Sequence, residues 1–204
     1  MPARRTPLVL FFPLALLLAG AASPPPGFKE GVAAFRKGDY PAALKAFKTI
    51  AEGGLAEAQF NLGVMYRQGL GVKADLAEAL KWYRKAADQG HPKAQLNLGT
   101  MHARGLGVKE DAAEAFKWHK RAAEQGLTQA QRLVGEAYVR GEGTKRDLVL
   151  AHAWLSLANK GGDPEAGALL REVAARLSPG DLWEAQRLAE GWEPKRPGGL
   201  LIAP

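Results

Sequence analysis

Four histidines and three Gly-x-Gly segments are where the residue types of this chain could do chemistry. A zinc site needs three or four converging nitrogen, oxygen or sulfur ligands, and His91, His102, His119 and His152 have no further ligands at a matching spacing. The absence of cysteine removes disulfides, thiolate metal sites and cysteine nucleophiles together. Gly69-Leu70-Gly71, Gly105-Leu106-Gly107 and Gly141-Glu142-Gly143 resemble fragments of a nucleotide loop. A dinucleotide fingerprint needs a preceding strand, a third glycine and a later acidic residue, and these segments follow helical patterns instead. Gly141-Glu142-Gly143-Thr144-Lys145 lacks the Gly-Lys-Ser/Thr ending of a phosphate loop. Ser23, Ser156 and Ser178 stand in neither Gly-x-Ser-x-Gly nor Ser-x-x-Lys context. Glu78, Asp88, Glu114 and Glu124 fall at outward helical positions near Lys81, Lys85, Lys117 and Arg121, where solvation and ion pairing explain them. The expectation is no enzyme, no cofactor and no metal.

The glycine segments have a better explanation in the elements around them. Gly63, Gly69, Gly71, Lys73, Asp75, Ala79, Trp82, Ala86 and Gly90 return 36 residues later as Gly99, Gly105, Gly107, Lys109, Asp111, Ala115, Trp118, Ala122 and Gly126. They return again as Gly135, Gly141, Gly143, Lys145, Asp147, Ala151, Trp154, Ala158 and Gly162. Ala58 and Gln59 recur as Ala94 and Gln95, then as Ala130 and Gln131. A fixed period of this length is the signature of a stacked array.

Each unit divides into two helices. Ala58, Leu62, Met65 and Tyr66 share one helical face, and a second apolar face carries Ala79, Trp82, Tyr83 and Ala86. Gly69 can close the first helix and Asp75 can cap the second. Gly63 lies inside a helix, where glycine costs ~1 kcal/mol, so a close approach of two helices is expected there. His102 and His119 replace the inward aromatics Tyr66 and Tyr83, so the two rings are expected to fill aromatic slots and could approach each other. Trp82, Trp118 and Trp154 recur at one core-proximal place, which points to packing. A degenerate pair of helices is expected over 28–55, clear repeats over 56–91, 92–127 and 128–163, and capping helices over 164–190. That makes ten helices, followed by a flexible tail over 191–204.

The chain opens with Arg4-Arg5, an apolar run from Leu8 to Leu18, and Ala19-Gly20-Ala21. That order reads as a cleaved export signal over 1–22, with an uncleaved anchor as the alternative. A spanning helix needs about 20 apolar residues, and this run is shorter and contains Pro13. Ser23 to Gly27 (SPPPG) form a stiff leader. With Arg4 and Arg5 set aside, 26 basic residues face 21 acidic ones. That mild excess favours acidic partners without pointing to nucleic acid.

The segment Ala58–Gly90 reads Ala-Gln-x-x-Leu-Gly-x-x-Tyr-x-x-Gly-x-Gly-Val-x-x-Asp, then Ala-x-x-Trp-Tyr-x-x-Ala-Ala-x-x-Gly. In this it resembles the Sel-1-like repeat, a relative of the tetratricopeptide repeat. The resemblance covers about Phe28 to Glu190 and implies an all-α fold, a right-handed α/α superhelix of helical hairpins. It also implies a scaffold that binds another protein, here a periplasmic or secreted one with no membrane contact after signal cleavage. An envelope enzyme or cell-wall enzyme accessory is the alternative; cysteine-rich relatives are linked to β-lactams, and this chain lacks their cysteines.

In tetratricopeptide-like arrays the first helix of each pair lines the concave surface. Carried over by position, this selects Phe60, Arg67, Lys93, Leu96, Arg104, Arg132 and Arg140 as candidate partner-binding residues. Arg67, Arg104 and Arg140 would form a cationic stripe with apolar inserts at Phe60 and Leu96, suited to an acidic extended segment. Equally, these arginines could simply complement helix C-termini.

Overall fold

The protein is described here by a computed structural model over residues 27–195. The expected export signal, residues 23–26 of the leader and residues 196–204 of the tail lie outside the described residues. Among the described residues there are ten helices and no strand. They are α1 (Phe28–Arg36), α2 (Tyr40–Glu52), α3 (Ala56–Gln68), α4 (Leu76–Asp88) and α5 (Pro92–Arg104). The rest are α6 (Ala112–Glu124), α7 (Thr128–Arg140), α8 (Leu148–Lys160), α9 (Ala166–Ala174) and α10 (Pro179–Glu190).

The repeat is executed almost identically three times. Each first helix ends on a left-handed glycine, Gly69, Gly105 or Gly141, with φ of 71°, 64° and 73°. The next amide then bonds back to the carbonyl of Met65, Met101 or Ala137 at 2.9–3.1 Å, occupying an orphan helix-end acceptor. Asp75, Asp111 and Asp147 each accept the amide three residues on at 2.9 Å, capping α4, α6 and α8.

Gly63, Gly99 and Gly135 do mark close approaches. A Cβ on Gly63 would lie 2.7 Å from the Tyr83 ring, and one on Gly135 would lie 2.7 Å from Leu155 Cγ. On Gly99 it would run into the His119 ring. The glycine therefore makes room chiefly for the residue twenty positions later on the paired helix. The second loop glycine has a separate reason. Gly71 presses on the Tyr40 carbonyl and Gly107 on that of Leu76, where a Cβ would stand 2.6 and 2.7 Å away. Gly143 meets Ala112 in the same way. Each hairpin loop thus docks on the start of the preceding unit's second helix.

Helices α1 to α9 each pack on the next in chain order, and α10 returns onto α8. Three buried clusters follow one another along the array, each built around one repeat tryptophan. Trp82, Trp118 and Trp154 are all buried. In the closing unit α9 spans nine residues, against thirteen in each helix from α2 to α8. Asp163 accepts the amides of both Glu165 and Ala166, so the turn it holds delays the helix.

Residues 191–195 also depart from the loose tail expected there. Trp192 packs edge-on against Trp154, with ring centroids 6.2 Å apart. The Lys195 amide donates to the Glu124 carbonyl at 2.7 Å. Aromatic burial and an orphan helix-end carbonyl together hold this strap down.

Candidate interaction surface

The seven candidate residues occupy the first helices α3, α5 and α7, and the structure treats them unequally. Arg67, Lys93 and Arg104 are exposed, and among the described residues no carboxylate lies within 4.0 Å of their charged groups. Phe60 is half-buried, stacked on His91 with centroids 4.7 Å apart and touching Tyr83 at 5.9 Å. Arg140 is exposed but bridges Glu136 at 3.5 Å and Glu142 at 3.7 Å.

Two of the seven need correction. Leu96 is 8% exposed and belongs to the core shared by α6, α7 and α8, so it is not an apolar insert on an open face. Arg132 is enclosed by carboxylates: it bonds Glu136, Asp163 at 3.1 Å and Glu165 at 3.2 Å. That cluster pins α7 to the turn before α9, and with its side chain only 12% exposed Arg132 is withdrawn from the surface a partner would meet. The surviving cationic surface is Arg67, Lys93 and Arg104, with Arg140 at its edge.

His91 was not among the candidates, yet it organises this face. It replaces the leucine of its counterparts, Leu55 and Leu127. Its Nδ1 accepts the Ala94 amide at 3.2 Å, capping α5. An accepting Nδ1 leaves the proton on Nε2, which donates to Glu57 at 2.9 Å. That hydrogen bond holds the Glu57 carboxyl below its ordinary range.

His102 and His119 take separate partners. The Arg84 guanidinium, which can only donate, lies 3.1 Å from His102 Nε2, bridging one unit to the next. Burial, with help from Arg84, lowers the His102 pKa. His119 lies over Gly99 with Thr100 Oγ1 at 3.4 Å, and burial pushes its pKa down to about 4. Both rings fill aromatic slots as expected, and no metal-ligating cluster exists among the described residues.

The repeated glutamine is a linker that sequence reasoning noticed without assigning. Gln59 and Gln95 donate to the Ala51 and Ala87 carbonyls of the preceding second helix, each at 3.1 Å. Their side-chain oxygens accept from Gln89 and Gln125 at 2.7 Å. The signal was the 36-residue recurrence of Gln59, Gln95 and Gln131 at positions buried in each copy.

Comparison with known proteins agrees with this geometry. The Sel1 repeat family model matches residues 56–91, 92–127 and 128–163. The chain belongs to the Sel1 repeat family. Sel1 repeat proteins are in general scaffolds for protein–protein contact. Among solved structures, this Sel1 array is similar to a Sel1 repeat protein from Oxalobacter formigenes, at 34% identity and TM-score 0.67. That match covers 80% of this chain and 71% of the other. It is also similar to c5321, a protective antigen of uropathogenic Escherichia coli described as displaying an SLR fold. There the identity is 38% and the TM-score 0.68, over 74% of this chain, which spans only 32% of that antigen. A search of curated proteins finds no match. Among the described residues, no helix is long and apolar enough to cross a membrane.

Proposed function

We propose that this Sel1 array is an exported, non-enzymatic adaptor that recruits another bacterial envelope or secreted protein through the first-helix face. The observation carrying this reading is the set of exposed cations on consecutive first helices, Arg67, Lys93 and Arg104, that lack carboxylate partners among the described residues. Unpaired cations on one open face attract an acidic segment and raise its encounter rate. Phe60 on its His91 platform supplies an apolar contact beside Lys93. Export rests on the basic head, the short apolar run and the small residues at 19–21.

A photo-crosslinking residue placed at Arg104 tests the binding face in intact cells. The expected result is capture of one discrete envelope protein. Its association with purified Arg67→Glu/Arg104→Glu protein should slow tenfold or more and lose most of its salt dependence. An unchanged rate refutes the assignment of this face. Mass spectrometry of the mature N-terminus separately tests export: a start near Ala22 supports cleavage, and an intact Met1 refutes it.

A further inference from the structure

The strap at 192–195 occupies a place that the repeat builds three times. In the third copy, three features receive it. The first is the end of α6, where the Glu124 carbonyl accepts the Lys195 amide at 2.7 Å and the Glu124 carboxylate pairs with Lys195 Nζ at 3.1 Å. The second is Gly126, left-handed at φ 89°, where an added Cβ would come within 3.7 Å of Trp192 and 3.8 Å of Pro194. The third is Trp154 on the next second helix, edge-on to Trp192. The chemistry is coherent. A helix C-terminus carries orphan carbonyls and partial negative charge, which suit an amide donor and a lysine, while the tryptophan offers a ring to an aromatic residue.

Stepping back 36 residues places Asp88, Gly90 and Trp118 in the same register, and a second step places Glu52, Gly54 and Trp82. The backbone is reproduced too, since Gly54 and Gly90 have φ of 96° and 90° against 89° at Gly126. Glu52 and Asp88 are exposed, and neither carbonyl accepts a backbone bond from outside its helix among the described residues. A Cβ on Gly54 would meet nothing within 4 Å, where Gly126 meets the strap. One difference is informative. Lys85 covers the ring of Trp82 at 4.0 Å, and Arg121 covers that of Trp118 at 4.6 Å with Arg84 and Lys117 each at 5.8 Å, whereas Leu157 stands at the Lys85 and Arg121 register in the third copy. Lys85 and Arg121, the nearest of these cations, are exposed long side chains that can swing aside for an incoming ring, while Arg84 and Lys117 stay tied to His102 and Glu114.

We propose that this strip, along the ends of the second helices, is a docking surface repeated once per unit. Its first two copies receive an extended segment of another protein, in which an aromatic residue is followed three positions later by lysine. The strap Trp192–Lys195 is the same mode of contact made within the chain. This surface and its basic-aromatic ligand are distinct from the first-helix face and do not depend on it.

The test uses the full chain and a labelled peptide, Gly-Trp-Glu-Pro-Lys, followed by fluorescence anisotropy. Binding is expected to weaken tenfold or more when the peptide's Trp becomes Ala, and likewise on Glu52→Lys/Asp88→Lys in the protein. Both protein positions are exposed, so an unchanged thermal melt confirms that the variant folds. Lys85→Leu, which copies the third unit, should tighten binding severalfold. Arg67→Glu/Arg104→Glu should leave it unchanged. Three outcomes overturn the proposal: no dependence on the peptide's tryptophan, no effect of reversing Glu52 and Asp88, or binding seen only when Trp192→Ala frees the third copy. The last would confine the site to the chain's own strap.

Discussion

Gly69 and Gly71 share one φ but not one environment, and replacing each with alanine separates conformational cost from packing cost. Both have φ of 71°, where an L-residue is disfavoured by about 1–2 kcal/mol. At Gly69 a Cβ would find its nearest atom, the Ala74 amide nitrogen, at 3.3 Å, so little beyond that penalty is expected. At Gly71 it would stand 2.6 Å from the Tyr40 carbonyl of the preceding unit, and backbone cannot rotate away as a side chain can. Overpacking of that kind costs about 1–3 kcal/mol more. Gly71→Ala should therefore be less stable than Gly69→Ala by that difference, a factor of roughly 5–150 in the unfolding constant. Urea denaturation followed by circular dichroism measures it, with equal slopes required so that midpoints report stability. In a chain of this size each 1 kcal/mol also moves the melting temperature by about 2–4 °C. Equal destabilisation by the two variants would show that the loop glycines serve only as turns, and the inferred docking of hairpin onto hairpin would fail. Gly105 and Gly107 give the same contrast one unit later, at 3.5 and 2.7 Å.

Three other outcomes are expected. Gln95→Leu removes the bond to the Ala87 carbonyl and the one from Gln125, costing about 1–3 kcal/mol in urea melts, and Gln125→Ala should add less than its own cost on top. The folded His119 titrates at about 4 against 6.5 when unfolded, so the folded state binds fewer protons between those values. Stability should be full above pH 6.5 and fall as pH drops towards 4, losing about 3 kcal/mol in all; His119→Leu, which puts over Gly99 the residue type that Leu155 puts over Gly135, should flatten that limb of the pH–stability profile. Arg132→Met takes the cation from Asp163, whose side chain is 7% exposed and keeps only its two backbone amide donors, and should cost about 3 kcal/mol by chemical denaturation, whereas Arg140→Met, 56% exposed, should stay within about 1 kcal/mol.

The proposed interaction face was only partly legible. Arg67, Lys93 and Arg104 could be placed on open first-helix positions because helical periodicity fixes which residues share a side. Leu96 and Arg132 could not, because whether a first-helix position is open depends on what the next unit lays over it. The cover for Arg132 comes from Asp163 and Glu165, beyond the second helix of its own unit. One clue was present and unread. Lys81 and Lys117 give way to Ala153, Arg84 and Lys120 to Ser156, and Lys85 and Arg121 to Leu157. An outward face that loses its charges is about to be covered, and α10 and Trp192 cover it.

By itself the sequence determined the period, the paired helices, their caps and the glycines between them, because each rests on short-range rules that act within one turn or one loop. Those rules repeat with the residues, so recurrence at 36 exposes them without coordinates. Only the tertiary structure decided which repeated positions face a neighbour: that Gln59 and Gln95 tie unit to unit, that Leu96 is core, and that Trp192 and Lys195 return onto Trp154 and Glu124. Such contacts join residues far apart in the chain, and their partners are chosen by how the stacked units meet, which local periodicity does not encode.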